Sequence, residues 1–594
     1  MVNHARFRIF LEDLAHAPQF VWHPQIVIVH VSFTSMNQVL RNTRITFWSL
    51  AILAGISQAW GSRFYLEPDG VNYLDIADAY AQGDWSSAIN GYWSPFYSWL
   101  LAINQILFHP SAYWESTYLH ILNFIFYLLA LCCFDFFFRR LLSLLGHYPD
   151  TVGDKGLPEW AWWVIGYTAF LLAALRLITL GMPTPDMVLA AFLLLSMGIL
   201  VDLARRRGTT LRYLGLGVVL GAAYLTKSAM FPLSFVFMFT AAFARIGVKK
   251  PEVRVLATLA AFALVSCPFI IALSRTLNHV TFGETGRIAY LDEVRPGGAP
   301  NSEKLPHPIR LLFDEPTVYE YSEPISGTFP PWYDPSYWTA GATIHFNLLQ
   351  QLRAAMRAIT SYFRILSLEK EWIAGWLVLA IYANDWRRLA KRWVDLWFLW
   401  LPSLAMLALY GLVLVEPRYV AVAMAITWIA LFSALPWQQI CITPRLGVAT
   451  VLAVGITTTV ALVREVGPNL AACFRPTQHI QWTVTNQLKQ LGVAPGDRAA
   501  VLGHTTVADY WAHMAGLRIV ADVPIEAVQS YWLASPERRI QISSSLSGFR
   551  VKAMVSASRP LVAAGWQPLG NTGYYVQILP AHPGKDANMS KIEP

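Results

Sequence analysis

The stretch Pro68-Asp69-Gly70-Val71-Asn72-Tyr73-Leu74-Asp75 follows directly on the first long apolar run of the chain, residues 45–60. It continues through Gly83-Asp84-Trp85 to Tyr92-Trp93-Ser94-Pro95-Phe96-Tyr97. Carboxylates placed where a chain leaves a bilayer keep their charge in water while facing whatever a membrane-bound substrate presents. Acids are costly in hydrocarbon, so acids retained at a membrane boundary mark a working site. Their aromatic and amide neighbours suit the grip of a polar, hydroxyl-rich group.

The surrounding composition fits that setting. The 594 residues are 55% hydrophobic and only 14% charged, with a net charge of +8. Mean hydropathy is +0.40. An ordinary soluble domain has about 25% charged residues. The apolar residues gather in runs of spanning length near 45–60, 114–138, 160–178, 186–204, 211–227, 229–245, 255–274, 369–384, 394–414, 418–435 and 446–463. These predict an all-α polytopic membrane protein with about eleven transmembrane helices. The basic residues stand in short clusters between runs: Arg41/Arg44, Arg139/Arg140, Arg205–Arg207, Lys249/Lys250/Arg254, Arg387/Arg388/Lys391/Arg392 and Arg445. They read as topology markers and lipid contacts, and not as a nucleic-acid surface. All fall on one side of the register, which the positive-inside rule makes the cytoplasm.

The opposite, extracytoplasmic side then holds the loops 61–113 and 275–368 and everything after 464. Within the first loop, 95–108 predicts a helix along the interface. Beyond 464 the pattern changes to helix at 481–492, strand at 498–502, helix at 505–515 and strand at 517–523. A helix over 525–546 and strands at 550–555 and 574–579 complete a C-terminal extracytoplasmic α/β domain, residues 465–594. The transmembrane domain is 41–464. Residues 1–40 read as an N-terminal extension, either peripheral or lying ahead of a start at Met36. Five scattered cysteines give neither a disulfide framework nor a zinc site.

The order of motifs resembles the GT-C glycosyltransferases, most closely the aminoarabinose transferase and protein O-mannosyltransferase group. Pro68-Asp69, Asn72-Tyr73, Asp75, Gly83-Asp84-Trp85 and the aromatic–Pro–aromatic step at 93–97 look like that family's first external loop. Thr184-Pro185-Asp186 resembles its Asp at a helix mouth, Leu225-Thr226-Lys227 its Leu-Thr-Lys at an external helix end, and Glu416-Pro417-Arg418-Tyr419 its late Arg-Tyr. The resemblance covers about residues 45–435. It departs at Gly70, where the aminoarabinose enzymes have an acid, and at Ser94, where they have a lysine. The loop run Gly283-Glu284-Thr285-Gly286-Arg287 and the run 327–338 suggest a bacterial subgroup; the aromatics of 329–338 also fit a belt at the headgroups.

The resemblance implies a multi-pass protein of the bacterial inner membrane that transfers a sugar, with inversion, from a polyprenyl-phosphate donor to a glycan, lipid or protein acceptor outside the cytoplasm. Such chemistry needs a base for the acceptor hydroxyl and cations for the departing phosphate. Asp69 is the candidate base, with Asp75 and Asp186 as supports or alternates. Lys227, Arg418 and Arg287 are candidate phosphate ligands, Arg as a planar fork and Lys as a point charge. Tyr73, Trp93 and Tyr97 are candidate sugar contacts, and Glu416 and Tyr419 flank Arg418. A divalent metal near Asp69 and Asp186 is compatible with hard carboxylate oxygens. The rival readings are a transporter or flippase of lipid-linked glycans and a non-catalytic scaffold of envelope assembly. A transporter predicts paired repeats with broken helices, and no such repeat is visible.

Overall fold

The computed structural model describes residues 33–146, 151–152, 156–205, 209–244, 251–294, 309–321, 326–334, 344–440, 444–475, 478–503, 510–561 and 565–580. The reading of residues 1–32, of 504–509 and of the Pro335–Trp338 part of the aromatic run lies outside them.

Each of the eleven apolar runs forms a helix. Numbering helices of six residues or more, they are α1 (Phe33–Gly61), α4 (Glu115–Leu145), α5 (Glu159–Leu171, continued by a π turn to Ile178), α6 (Asp186–Arg205), α7 (Thr210–Thr226), α8 (Met230–Phe243), α9 (Pro251–Thr276), α11 (Lys370–Ala383), α13 (Trp397–Gly411), α14 (Pro417–Ala434) and α15 (Pro444–Cys473). Among the described residues six helices are long and apolar enough to cross a membrane alone, or seven if α12 (Trp386–Asp395) and α13, bent by 79°, form one span. α7 and α8 are apolar but shorter. Between α1 and α4 lie α2 (Pro68–Gln82) and α3 (Pro95–Phe108), so the helix expected at 95–108 is present. The remaining long element, α10 (Leu348–Ser367), closes the second loop.

The two ends of the bundle are chemically different. At one end, Asp135 of α4 receives Arg44 of α1 at 3.0 Å and Arg139 at 2.5 Å. Tyr167 of α5 donates to the same carboxylate at 2.8 Å. Beside it Asp202 of α6 takes Arg212 at 3.0 Å and Arg140 at 3.5 Å. Basic residues read as topology markers therefore also rivet helices through buried acids. Asp186 begins the helix on which Asp202 stands near the end, ~24 Å away along the axis. The acidic site and the basic clusters are at opposite ends.

The C-terminal α/β domain is built round a seven-stranded sheet in the order β1-β2-β4-β3-β5-β7-β6. Its strands are β1 (Ile309–Phe313), β2 (Val318–Tyr321), β3 (Arg498–Leu502), β4 (Arg518–Val523), β5 (Val551–Ser556), β6 (Gln567–Pro568) and β7 (Tyr575–Ile578). The central β4-β3-β5 set is parallel. Its strands are buried on both faces, which explains their continuous apolar sequences. One face is covered by α16 (Ile480–Gln490) and α17 (Tyr510–Ala515) through Val484, Leu488 and Trp511. The other is covered by α18 (Val528–Leu533) and α19 (Pro536–Gly548) through Tyr531, Ile542 and Leu546. The tail matches the expected alternation closely, except that the helix over 525–546 is broken at Ala534-Ser535. The unexpected part is β1 and β2. They belong to the loop 275–368, and β2 pairs antiparallel with β4 at Tyr319↔Asp522 and Glu320↔Ala521. The tail and the second loop make one sheet.

Candidate active site

Proline sets the start of two helices that meet at the end of the bundle opposite Asp135 and Asp202. In α2, Glu67 is the extended N-cap (φ −84, ψ 165), Pro68 follows, and Asp69 lies in the first turn. In α14, Glu416 is the extended N-cap, Pro417 follows, and then Arg418. Proline suits the first helical position because its missing N–H would be unpaired there in any case. Asp186 opens α6, and Lys227 caps the C-terminus of α7. Helix dipoles favour Asp69, Asp186 and Lys227 where they stand, and disfavour Arg418. Arg418 needs acceptors for its charge, and three carboxyl groups face it.

Its Nη2 donates to Asp69 Oδ2 at 2.8 Å. Its Nη1 is 3.5 Å from Glu67 Oε1, and its Nε is 3.9 Å from Asp186 Oδ2. Lys227 Nζ donates to Asp186 Oδ1, and Thr184 Oγ1 donates to Oδ2 at 2.9 Å. Tyr419 lies between the cations. Lys227 Nζ is 3.6 Å from its ring centroid and Arg418 Cζ 5.2 Å. Tyr419 also stacks on Tyr410 at 5.2 Å. Asp186 is almost fully enclosed, whereas the side chains of Asp69, Arg418 and Lys227 keep 19%, 16% and 20% exposure, so a ligand can reach them.

Burial, reinforced by Asp69 and opposed by Arg418, raises the Glu67 carboxyl to about 8. Glu67 is therefore neutral at pH 7, leaving Asp69 and Asp186 against Arg418 and Lys227. Glu67 Oε1 and Tyr97 Oη are buried without a hydrogen-bond partner among the described residues.

The sequence-derived candidates divide as follows. Asp69, Asp186, Lys227, Arg418 and Tyr419 come together. Tyr73, Trp93 and Tyr97 lie beside them, yet they do not offer open faces for a sugar. Tyr73 packs edge-on against Trp93 at 5.0 Å and Tyr97 at 5.1 Å, and all three are buried. They form a wall, held by Trp93 Nε1 donating to Tyr333 O at 3.1 Å and Ser98 Oγ to Tyr73 O at 3.1 Å. The aromatic run is inward too: Phe329 and Tyr333 are each 4% exposed, so its described part is not a belt at the headgroups.

Asp75 is not brought to the cluster. Six residues beyond Asp69, it points about 240° round the helix. Its carboxylate accepts from Thr328 N at 2.7 Å, Thr328 Oγ1 at 2.8 Å and His513 Nδ1 at 2.7 Å. Arg287 is also elsewhere, 3.3 Å from Glu284 in a 460 Å³ cleft with His279, Asn90, Tyr92 and Asp334. Glu416 is half-buried at its N-cap and makes no ion pair among the described residues; it lies close enough to Glu293 to help raise that carboxyl, after burial and Asp292. No group of three or more His, Cys, Asp or Glu side chains among the described residues is placed to hold a metal ion. A cation at Asp69 or Asp186 would have to displace Arg418 or Lys227. Sequence reasoning missed Glu67, although an acid directly before Pro68-Asp69 was the available signal. It also missed Tyr410, which nothing in its apolar helix distinguishes.

No family model matches the chain, and no curated protein matches it in sequence. Solved structures do match in shape. ArnT from Cupriavidus metallidurans in the apo state aligns with a TM-score of 0.51 at 11% identity, over 90% of this chain and 98% of that one. The same protein bound to undecaprenyl phosphate aligns with 0.50 at 10% identity, over 90% and 97%. An Archaeoglobus fulgidus oligosaccharyltransferase complex with Zn and sulfate gives 0.45 at 14% identity, over 86% and 67%. The chain is thus a multi-pass membrane protein with the GT-C glycosyltransferase fold.

Proposed function

We propose that this protein transfers a sugar, with inversion, from a polyprenyl-phosphate donor to an acceptor hydroxyl at the outer face of the bacterial inner membrane. The observation that carries the reading is the contact of Arg418 with Asp69, in a partly open cluster that also holds Lys227 and Asp186. The GT-C fold, and the undecaprenyl phosphate bound to ArnT, make a lipid phosphate the natural ligand for those cations.

In this reading the donor phosphate takes Arg418 from Asp69, with Lys227 as a second charge. Asp69, released from its partner, accepts the proton of the acceptor hydroxyl as that oxygen attacks the anomeric carbon. The bond to phosphate breaks with its electron pair going to the phosphate oxygen. Asp186 keeps Lys227 oriented, and the Tyr73–Trp93–Tyr97 wall gives the site a fixed, dry side. A divalent metal has no step in this scheme.

Mass spectrometry of lipids that co-purify with the protein tests the donor, followed by transfer from that lipid to envelope acceptors. A polyprenyl-phosphate sugar, turned over in vitro, is expected. Export of an intact lipid-linked glycan without turnover would instead make the protein a flippase. A protein that binds no phospholipid-like carrier and transfers nothing would be a scaffold.

A further inference from the structure

The face of α2 opposite Asp69 carries a second buried charge cluster, between the transmembrane domain and the C-terminal domain. At its centre is His513 of α17, whose side chain is 7% exposed. Nδ1 is 2.7 Å from Asp75 Oδ1, and Nε2 is 3.2 Å from Glu115 Oε2 at the first residue of α4. Nε2 also lies 4.0 Å from Asp78 Oδ2, one turn beyond Asp75. Tyr510, on the same short helix as His513, donates to Glu115 Oε2 at 3.3 Å and accepts from Ser116 N at 3.1 Å. Asp75 is held from a third side by Thr328, whose carbonyl accepts from Ile519 N of β4 at 2.8 Å.

Both ring nitrogens of His513 thus face carboxylates, which only an imidazolium can satisfy together. Burial works against its charge, yet Glu115 and Asp75 outweigh burial and lift it well above the ordinary histidine range. Asp78 is raised to about 6, chiefly by burial, with His513 opposing. The titratable groups facing the imidazole are Asp75 and Asp78 of α2, Glu115 of α4 and Tyr510 of α17.

We propose that His513 is a positioning residue through which the C-terminal domain fixes α2, so that the first turn of that helix presents Asp69 to Arg418. The role given to Asp69 rests on the transferase reading; the clamp itself does not. α2 has 15 residues, with Asp69 bonded at its start, Asp75 bonded on the far face and Asp78 at 4.0 Å from the same imidazole. Its buried side chains, Val71, Tyr73, Leu74 and Ile76 among them, suffice to dock the helix. The ionic clamp fixes its rotation and its slide along the axis. A rigid helix transmits a displacement at Asp75 to Asp69, ~9 Å away.

The test uses the full-length protein in lipid nanodiscs, as wild type, His513→Gln and His513→Arg. Amide exchange in α2 is read against peptides of α4 and β4, each corrected for the intrinsic pH dependence of exchange. His513→Gln should speed exchange across residues 69–78 by about tenfold, as expected for a local opening, with the reference peptides unchanged. His513→Arg, which keeps the cation, should restore protection. The group has a raised pKa, so its hold is complete below about 6.5 and is lost as pH rises through the shifted value. Wild-type protection of α2 should therefore fall in alkaline buffer, while that of His513→Arg persists. On the transferase reading, His513→Gln lowers kcat and leaves undecaprenyl-phosphate affinity unchanged, because Arg418 and Lys227 stand on other helices. If His513→Gln does not fold, Glu115→Gln removes one charge partner and should give the same pattern in weaker form. Equal α2 protection in all variants, flat with pH, would overturn the clamp. Altered α2 exchange in a protein that transfers no sugar would confirm the clamp and reject the transferase reading.

Discussion

Arg418 and Asp69 are 349 residues apart in sequence and form a direct 2.8 Å hydrogen bond. The contact joins the two functional roles, since one residue is the candidate phosphate ligand and the other the candidate base. While the contact lasts, Asp69 Oδ2 is occupied by a donor and one Arg418 amino group is turned from any phosphate. On the transferase reading, a donor phosphate that takes Arg418 would release Asp69 in the same step.

Asp69→Asn keeps the shape and most hydrogen bonding of the side chain while removing its basicity. Transfer should fall ~10²–10⁴-fold, with lipid-phosphate binding retained or improved because Arg418 loses its competitor. Kinetics and lipid binding on the same preparation check both parts; full activity in this variant ends the assignment.

Arg418→Ala and Lys227→Ala remove charge-assisted bonds to phosphate, each commonly worth ~1.5–3 kcal/mol. Donor affinity should weaken by about that amount in titrations with polyprenyl phosphate. Arg418→Lys should rescue poorly, since a point charge cannot contact Asp69 and phosphate as a fork does. Unchanged affinity in both alanine variants would remove these cations from the site.

Glu67 supplies a pH dependence. Its folded-state value of about 8 lies above the ordinary 4.5, so its contribution to stability is complete below 4.5 and is lost as pH rises through about 8. Glu67→Gln is neutral at every pH. Melting temperatures measured from pH 5 to 9 should therefore fall less steeply between pH 5 and 8 in Glu67→Gln than in the wild type, the slopes converging above about 8. Parallel curves would mean that Glu67 ionises without cost.

At the other end of the bundle, Asp135→Ala would take the acceptor from Tyr167 and the partner from Arg44 and Arg139, which are exposed enough to turn to water. Losing charge-assisted bonds of this kind costs ~1.5–3 kcal/mol. Unfolding in detergent should show that loss, with the external site intact in whatever fraction stays folded. A loss below 1 kcal/mol would show that water already solvates this carboxylate.

Membrane sidedness can be read by cysteine labelling from outside the cell, on a background lacking the native cysteines. Positions in 61–113, 309–321 and 480–580 should react, and positions near Arg139 or Arg387 should not. Labelling of the C-terminal domain only after permeabilisation would reverse the orientation.

Much of this architecture was readable in the chain because it depends on local pattern. Apolar runs, prolines at helix starts and charges at helix ends located the helices and brought Asp69, Asp186, Lys227 and Arg418 to one boundary. What escaped depended on distant partners. Ile309–Phe313 and Val318–Tyr321 are five and four residues long, and their status as strands rests on an edge supplied by β4, far along the chain. The six-residue spacing puts Asp75 off the face of Asp69 on any helix, but its partner comes from a domain whose docking no local pattern encodes. Tyr73, Trp93 and Tyr97 have the composition of a sugar platform; only packing shows that their faces are spent on one another.

The strand pair β1–β2 also has a consequence for how the molecule is made. Ribosomes deliver it before α10 through α15, whereas its neighbour β4 and the histidine that grips Asp75 come only after them. During synthesis the hairpin therefore waits with one edge bare, and α2 waits without its cation. A chain truncated after α15 would insert fully and yet leave Tyr319 and Glu320 open to stray strands. Only when the segment carrying His513 and β4 arrives can the edge close and α2 gain its cation, so one stretch of chain completes both the sheet and the hold on the helix that bears Asp69.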